Sequence, residues 1–504
     1  MPSHILKQLK PFAKFPTGHA IILAGADYPK NSKTVGAHRI ATWLRKKGWE
    51  IDVLDHFLFM SKDLLKEYLG KAIKDTTRWI GISYTWIHGD TEAHSLIKEL
   101  KATYPDLLFI IGGQFPYNVN LDAEWYILGY GELAIDAILE YEFGKGDLPI
   151  SEELFTGRYI DAYHNYPATP LSTYAIEYQE DDFLNSKTHL TVEMSRGCKF
   201  ACKFCSFPFI GMKESTTVQE EDLYRQLNEN YQKWGVTCYS IADDTLNDRT
   251  EKLITLRNVV NKLDFDPNFS CYVRIDLTKA HPEQVELLAE SRAWMHYYGV
   301  ETLNRQSGQS IGKGMNPETV KELLINMKTY MNKHLGLYRG TAGLIAGLPY
   351  ETMNSLEETK KWFKENWSDQ SYFFLLLQIV KHKDILSAFG TDLAKFGYSE
   401  IRDSSKMSKD YLSMRDINEV MWKSQYTDIN ECYEFVRQDH EESRLLDAWS
   451  VTRYLAMHDL DYEKVLQIKR PFFPLVDLFD YRKNALRWTK EYHKNKIISL
   501  DKKI

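Results

Sequence analysis

Between residues 193 and 205 the chain reads Glu-Met-Ser-Arg-Gly-Cys-Lys-Phe-Ala-Cys-Lys-Phe-Cys. Cys198, Cys202 and Cys205 therefore share one eight-residue loop in a C-x3-C-x2-C pattern. Thiolates select soft metals and iron–sulfur clusters. A structural zinc site or an ordinary cubane takes four protein ligands, and no fourth follows in useful range. The next cysteine is Cys238, and the first histidine after the loop is His281. Three ligands on a four-iron cluster leave one iron open for chemistry. A degraded zinc knuckle or three buried thiols is the competing reading.

Composition narrows the setting. Six cysteines among 504 residues, none before Cys198, make no disulfide framework and fit a reducing cytoplasm. A chain this long is expected to form two or three domains, and 43% hydrophobic content can fill their cores. The net charge of −7 comes from both signs mixed along the chain, which gives no strong nucleic-acid signature. The most apolar stretch, 372–380, is too short to span a membrane. Residues 1–15 lack the apolar core of a signal peptide. The expectation is a cytoplasmic enzyme.

In the first 145 residues, strands are predicted at 20–25, 50–55, 79–84, 107–113 and 125–129. Helices are predicted at 35–47, 61–73, 90–103 and 132–143. Nearly continuous apolar strands separated by amphipathic helices predict a parallel sheet covered on both faces. This is an α/β, flavodoxin-like (Rossmann-like) domain, which binds ligands beyond the carboxyl ends of its strands. The candidate loops are 26–34, 84–89, 112–118 and 129–132. Gly112-Gly113 permits close backbone approach to a large ligand. No Gly-x-Gly-x-x-Gly follows the first strand, which argues against a nicotinamide or flavin. Residues 146–187 carry Gly and Pro with poor periodicity and read as a linker.

From residue 188 the alternation restarts. Strands at 190–194, 239–242, 269–275, 296–301, 340–346 and 373–380 are separated by helices at 219–234, 250–263, 282–289, 317–333 and 355–367. Six such repeats predict a central partial (β/α)6 TIM-type barrel over 188–380, with its chemistry at the carboxyl ends of the strands. The cysteines follow the first of them. Cys238 and Cys271 read as small core residues. Residues 381–504 read as a C-terminal helical region, with helices at 406–425, 432–458, 462–470 and 481–497. Its aromatics include Trp422, Trp449, Tyr454, Phe472, Phe473, Phe479, Tyr481 and Trp488. They form either a lid over the barrel mouth or, the favoured reading, an ordinary core.

The triad, with Phe204 just before its last cysteine, resembles the signature of the radical S-adenosylmethionine (SAM) superfamily. Matching elements follow in order: Asp243-Asp244, then Arg274 and Asp276, Gly299-Val300-Glu301, Gly312-Lys313-Gly314, and the run from Gly343 through Gly347 to Glu351-Thr352. The first 145 residues are similar to the cobalamin-binding domain that precedes the cluster domain in one class of that superfamily. The similarity lies in Val35-Gly36, Leu44 to Gly48, Gly81 to Tyr84, Ile110 to Gly113 and Leu128 to Glu132. The resemblance implies a [4Fe-4S] cluster on Cys198, Cys202 and Cys205. It implies SAM contacts from Phe204, Asp243, Arg274, Glu301 and Gly347. Cobalamin would meet Tyr84, Gly112, Gly113, Gln114, Gly129, Gly131 and Glu132. Two departures stand out. The Asp-x-His-x-x-Gly motif that gives cobalt a histidine is absent, and Gln114 stands where relatives often carry Pro-His.

In that class the reduced cluster cleaves SAM to methionine and a 5′-deoxyadenosyl radical, which takes hydrogen from an unactivated carbon. The resemblance thus implies an external electron donor of flavodoxin or ferredoxin type, and methyl transfer as the commonest outcome. The expected activity is C-methylation of an unknown substrate. Cyclisation or rearrangement with the same cofactors is an alternative, as is a vestigial, empty first domain. The lack of cysteines before Cys198 argues against a methylthiotransferase. Cys432 alone in the C-terminal region argues against auxiliary clusters there.

Overall fold

The structure, a computed structural model, describes residues 15–26, 30–85, 91–113, 121–154, 156–167, 169, 175–210, 216–335, 338–381, 387–408, 411–412, 419–442, 447–458 and 478–502. The chain forms two compact units: residues 1–27, 36–169 and 496–504, and residues 28–35 with 170–495.

The first unit is built on β1 (His19–Ala24), β2 (Glu50–Asp55), β3 (Thr77–Ser83), β4 (Leu108–Gly113) and β5 (Trp125–Leu128). Helices α1 (Val35–Arg45), α2 (Lys62–Ala72), α3 (Thr91–Thr103) and α4 (Glu132–Phe143) alternate with them. Every residue of β1 is buried, as a strand covered on both faces requires. The sheet order is β2-β1-β3-β4-β5-β7-β6, and its first five strands, all parallel, follow the flavodoxin order. The last two strands, β6 (Glu152–Glu153) and β7 (Arg158–Asp161), lie in the stretch read as linker, with β7 parallel to β5. Gly157 makes their turn possible. Its φ is +75°, and a Cβ there would lie 2.1 Å from the Ala123 carbonyl oxygen.

The second unit carries β8 (Leu190–Val192), the short antiparallel pair β9 (Ser195–Arg196) and β10 (Thr216–Thr217), then β11 (Cys238–Ile241), β12 (Asn268–Val273), β13 (Ala293–Glu301), β14 (Arg339–Ala346) and β15 (Ser371–Leu376). Six of these form one parallel sheet in the order β15-β14-β13-β12-β11-β8, with no closure between β8 and β15 among the described residues. Sequential order with a helix after each strand is the arrangement of an open, partial barrel. Cys238 and Cys271 are fully buried in its core, as expected.

The C-terminal region is largely helical, with two departures from the sequence reading. Of the helix expected at 406–425, Tyr411 and Leu412 are helical and residues 413–418 lie outside the described residues, but its last part is not helix. Instead β17 (Trp422–Lys423) pairs with β16 (Ser399–Glu400), because the Trp422 indole reaches into the core and donates to the Leu377 carbonyl at 2.9 Å. The helix expected at 432–458 is two, Ile429–Glu442 and Ala448–Met457, the second starting at the Asp447 N-cap. Ile429–Glu442 packs on β14 and β15, and Ala448–Met457 packs across β11 to β14. Trp422 and Tyr481 are fully buried and Tyr454 packs on the core, so these aromatics are core and not lid. The helix expected at 462–470 lies outside the described residues.

Candidate active site

The cysteine loop leaves the sheet where β8 ends, and a buried ionic network fixes that exit. Asp243, one residue beyond β11's last neighbour, accepts from the backbone N–H groups of Met194 (2.8 Å) and Ser195 (2.9 Å). It also accepts from the Ser195 hydroxyl at 2.5 Å and pairs with Lys252 at 2.6 Å. Lys252 pairs in turn with Asp248 at 2.9 Å and donates to Ser195 Oγ at 2.8 Å. Asp243 and Lys252 are 2% and 1% exposed, so each charge depends on the other for compensation. The Asp243 carboxylate is fully used in holding the loop and does not present itself to a ligand. The side chain of its neighbour Asp244 is exposed. Desolvation, then the charge of Asp243, pushes its carboxyl up to about 6.

Within the loop, Cys198, Cys202 and Cys205 are all partly exposed. The Cys205 N–H donates to the Cys202 carbonyl (3.2 Å), and the Phe207 N–H points at Cys205 Sγ (3.4 Å). The loop is tied down from outside by the Lys203 N–H on the Ile311 carbonyl (3.1 Å) and by the Lys199 ammonium on the Asp248 carbonyl. Burial raises the Cys198 thiol and pushes the Cys205 thiol up to about 12. Among the described residues no three His, Cys, Asp or Glu side chains converge on a single-ion site. Phe204 packs against the hydrophobic core.

Further along the carboxyl edge, Arg274 follows β12 and forks onto Asp276 at 3.0 and 2.6 Å. Glu301 ends β13 in the left-handed region (φ 68°) and pairs with Lys313 at 3.0 Å. After β14, Gly347 has φ +101°, and a Cβ there would lie 2.2 Å from the Trp422 ring. The Gly347 and Leu348 N–H groups donate to Glu351 Oε2 at 3.3 and 3.2 Å. The Thr302 hydroxyl donates to Glu351 Oε1 at 2.6 Å. Glu351 is 2% exposed, and desolvation pushes its carboxyl up to about 8.

The residues expected to meet cobalamin divide differently. Tyr84 is fully buried, its hydroxyl 2.6 Å from His94 Nε2, so it packs inside the first unit. Gly113 (φ +140°) has Thr85 Oγ1 where a Cβ would go, at 2.7 Å, and Gly129 (φ +104°) has the Tyr163 ring at 2.8 Å. Packing alone demands these two glycines. Glu132 is 2% exposed. Gly112 is only half-buried, with the Ile127 carbonyl at 3.9 Å the nearest contact of a Cβ among the described residues, and Gly131 has Ile40 at 3.4 Å. Both leave room for a ligand against the backbone. Gln114 lies outside the described residues.

Residues 192–363, which hold the cysteine loop and most of the second sheet, match the Radical SAM superfamily model. This is a radical SAM domain. An uncharacterized methyltransferase of Pyrococcus horikoshii is 24% identical over 182 residues, 36% of this chain and 38% of the relative. One from Synechocystis sp. is 25% identical over 295 residues, 56% of this chain and 51% of the relative. The chain thus spans about half or less of these relatives. The fold of nearly the whole chain matches the radical SAM methyltransferase TsrM of Kitasatospora setae, solved with cobalamin and a [4Fe-4S] cluster, with TM-score 0.64, 11% identity, and coverage of 94% of this chain and 99% of that one. It also matches the cobalamin-dependent SAM radical enzyme OxsB with aqua-cobalamin bound, with TM-score 0.60, 13% identity, and coverage of 95% and 85%. No described helix is long and apolar enough to cross a membrane.

Several residues that shape the radical SAM domain escaped the sequence reading: Ser195, Asp248, Lys252, Thr302 and Glu351 as a carboxylate clamp. One had a local signal, since Asp248 and Lys252 stand four apart where a helix starts. Ser195 and Thr302 act across separations of 48 and 49 residues that no spacing reveals.

Proposed function

We propose that this chain is a cobalamin-dependent radical SAM enzyme that methylates an unactivated carbon. The observation that carries the proposal is the cysteine loop. It places three partly exposed thiols at the carboxyl end of the first strand of an open parallel sheet, with no fourth cysteine in the loop. When bound, the cluster on Cys198, Cys202 and Cys205 supplies the electron that cleaves SAM, and cobalamin supplies the methyl carrier. Residues 188–380 are assigned to the radical chemistry, 1–145 to cobalamin and 381–504 to substrate contact.

The remaining roles fall to side chains and backbone. Asp244 and Glu301 offer carboxylates to the ammonium and sulfonium of SAM, and the Gly347 turn offers backbone to its adenosine. Asp243 and Glu351 hold those loops in place. In the first unit, Gly112 and Gly131 leave the backbone open to a corrin. An external one-electron donor of flavodoxin or ferredoxin type completes the system. The fold of TsrM and the methyltransferase names of both curated relatives support methyl transfer.

The test is anaerobic reconstitution with cluster, cobalamin and methyl-labelled SAM, followed by mass analysis against cell extract. Expected are label in a new product and about equal amounts of S-adenosylhomocysteine and 5′-deoxyadenosine, since one SAM gives the methyl and another the radical. Deoxyadenosine without homocysteine product or label transfer would eliminate methylation.

A further inference from the structure

The side chain of Arg274, expected to contact SAM, is held on one edge and one face. Its Nε and Nη2 fork onto Asp276 at 3.0 and 2.6 Å. Its guanidinium carbon lies 3.9 Å from the centre of the Phe200 ring, inside the cysteine loop. The nitrogen left over, Nη1, lies 3.8 Å from Cys202 Sγ. The backbone is equally fixed. Buried Asn247 accepts from the Arg274 N–H at 2.9 Å and donates to its carbonyl at 3.0 Å, while Gln284 accepts from the Asn247 amide at 2.9 Å. A guanidinium stacked on one face and forked on one edge has a single free direction, and that direction is the sulfur.

We propose that Arg274 is a positioning and tuning residue for the cluster: it donates a charge-assisted hydrogen bond to the Cys202 sulfur and makes the cluster easier to reduce. The proposal rests on the reading of the triad as cluster ligands. Reduction adds negative charge that spreads onto the sulfurs. A cationic donor held against one of them stabilises the reduced state, and hydrogen bonds to sulfur are among the established determinants of cluster potential. Asp276 acts by aiming the guanidinium.

The experiment is an EPR-monitored redox titration of the anaerobically reconstituted full chain. Wild-type protein must first show about four irons and a reducible cluster; if it does not, the reading of the triad fails and not the role of Arg274. Arg274→Met should lower the reduced-to-oxidised ratio at a fixed potential about tenfold, equivalent to about 59 mV for one electron. Arg274→Lys keeps the charge without the fork and should fall between the two; it also serves if the Met variant loses its cluster. Asp276→Asn separates aiming from simple charge. Removing a negative charge should by itself ease reduction, whereas loss of aim should make it harder, and harder is expected. An unchanged potential in Arg274→Met at full iron content would overturn the proposal, as would easier reduction in Asp276→Asn. So would loss of the SAM-induced spectral change with the potential intact, because Arg274 would then serve SAM.

Discussion

The carboxyl ends of the two sheets are held by different kinds of force. In the second unit, polar side chains do it: Asp243 gathers Met194, Ser195 and Lys252, and Glu351 gathers Gly347, Leu348 and Thr302. In the first unit the ends of β4 and β5 rest on shape, Gly113 accommodating Thr85 and Gly129 accommodating Tyr163, while β2 ends on one buried carboxylate, Asp55, paired with His38 at 2.9 Å. A buried carboxylate with four donors is costly to build and has few uses, so finding one at a strand end is informative. A glycine beneath a neighbouring side chain is required by the fold whether or not a ligand ever binds above it. The cluster site can therefore be argued residue by residue, while the first unit's ligand must be argued from the few strand-end glycines that packing does not explain.

The sharpest break in that comparison is Cys202→Ala. If the loop exists to hold a cluster, iron content and deoxyadenosine formation should both collapse, by orders of magnitude for the latter. Cys432 is buried with its thiol pushed up to about 12, the mark of an inert core cysteine. Cys432→Ala should cost about 1 kcal/mol of stability and leave SAM cleavage intact. Normal cleavage in Cys202→Ala would remove the cluster assignment.

Next comes the ionic clamp. Lys252→Ala leaves Asp243 and Asp248 buried without their ammonium, a loss of about 3–5 kcal/mol. Chemical denaturation would measure it, and iron binding should weaken as the loop exit loosens. Lys252→Met is expected to be as harmful, since it fills the space but not the charge. If Lys252→Met matched wild type, the network would be incidental and the contrast between the two sheets would weaken.

The Glu351 clamp predicts a pH effect of known sign. Its carboxyl, raised from 4.5 to about 8 in the folded chain, is protonated there while the unfolded chain is ionised. Folding thus binds a proton between those values, so this contribution to stability is full below about pH 4.5 and is lost as pH rises through about 8. The slope is at most about 1.4 kcal/mol per pH unit. Glutamine resembles the protonated carboxyl, so Glu351→Gln should flatten the fall in thermal midpoint between about pH 5 and 8. An identical pH profile in the variant would show that the carboxyl does not titrate with folding.

Much of this was legible in the chain. Strand β2 and helix α4 have the bounds expected from periodicity alone, because a doubly covered parallel sheet leaves near-continuous apolar runs. The cysteine triad was legible because a metal ligand set is defined by spacing. The inward turn of Asp243 was not legible, because the sequence offers two adjacent aspartates and cannot say which one turns inward. The choice is made by the Met194 and Ser195 backbone, nearly fifty residues earlier in the chain. Trp422 was misread as helical because its core contact at Gly347 and Leu377 overrides local propensity. Residues 152–161 lacked periodicity because strands of two and four residues are too brief to show any.

The smallest expected effect on stability tests the first unit directly. Gly112 and Gly113 are adjacent in sequence and both end β4, yet they should respond differently. Gly113→Ala places a Cβ 2.7 Å from Thr85 Oγ1 at φ +140°, so it should lose about 1–3 kcal/mol whatever is bound. Among the described residues Gly112 has no atom nearer than 3.9 Å to its missing Cβ, and it has no positive φ, so even Gly112→Leu should shift stability by under about 1 kcal/mol. Its leucine would occupy the half-open space beyond the strand end, where a parallel sheet of this order receives its ligand. The prediction is a protein with the thermal midpoint of wild type that retains much less corrinoid after reconstitution, read by absorbance on the desalted protein. Equal corrinoid retention in Gly112→Leu and wild type would mean that the glycines of β4 serve packing and nothing else. Wild type that binds no corrinoid would leave the first unit as a structural domain. Only loss of corrinoid without loss of stability makes this strand end a binding surface, because a merely structural glycine cannot separate the two.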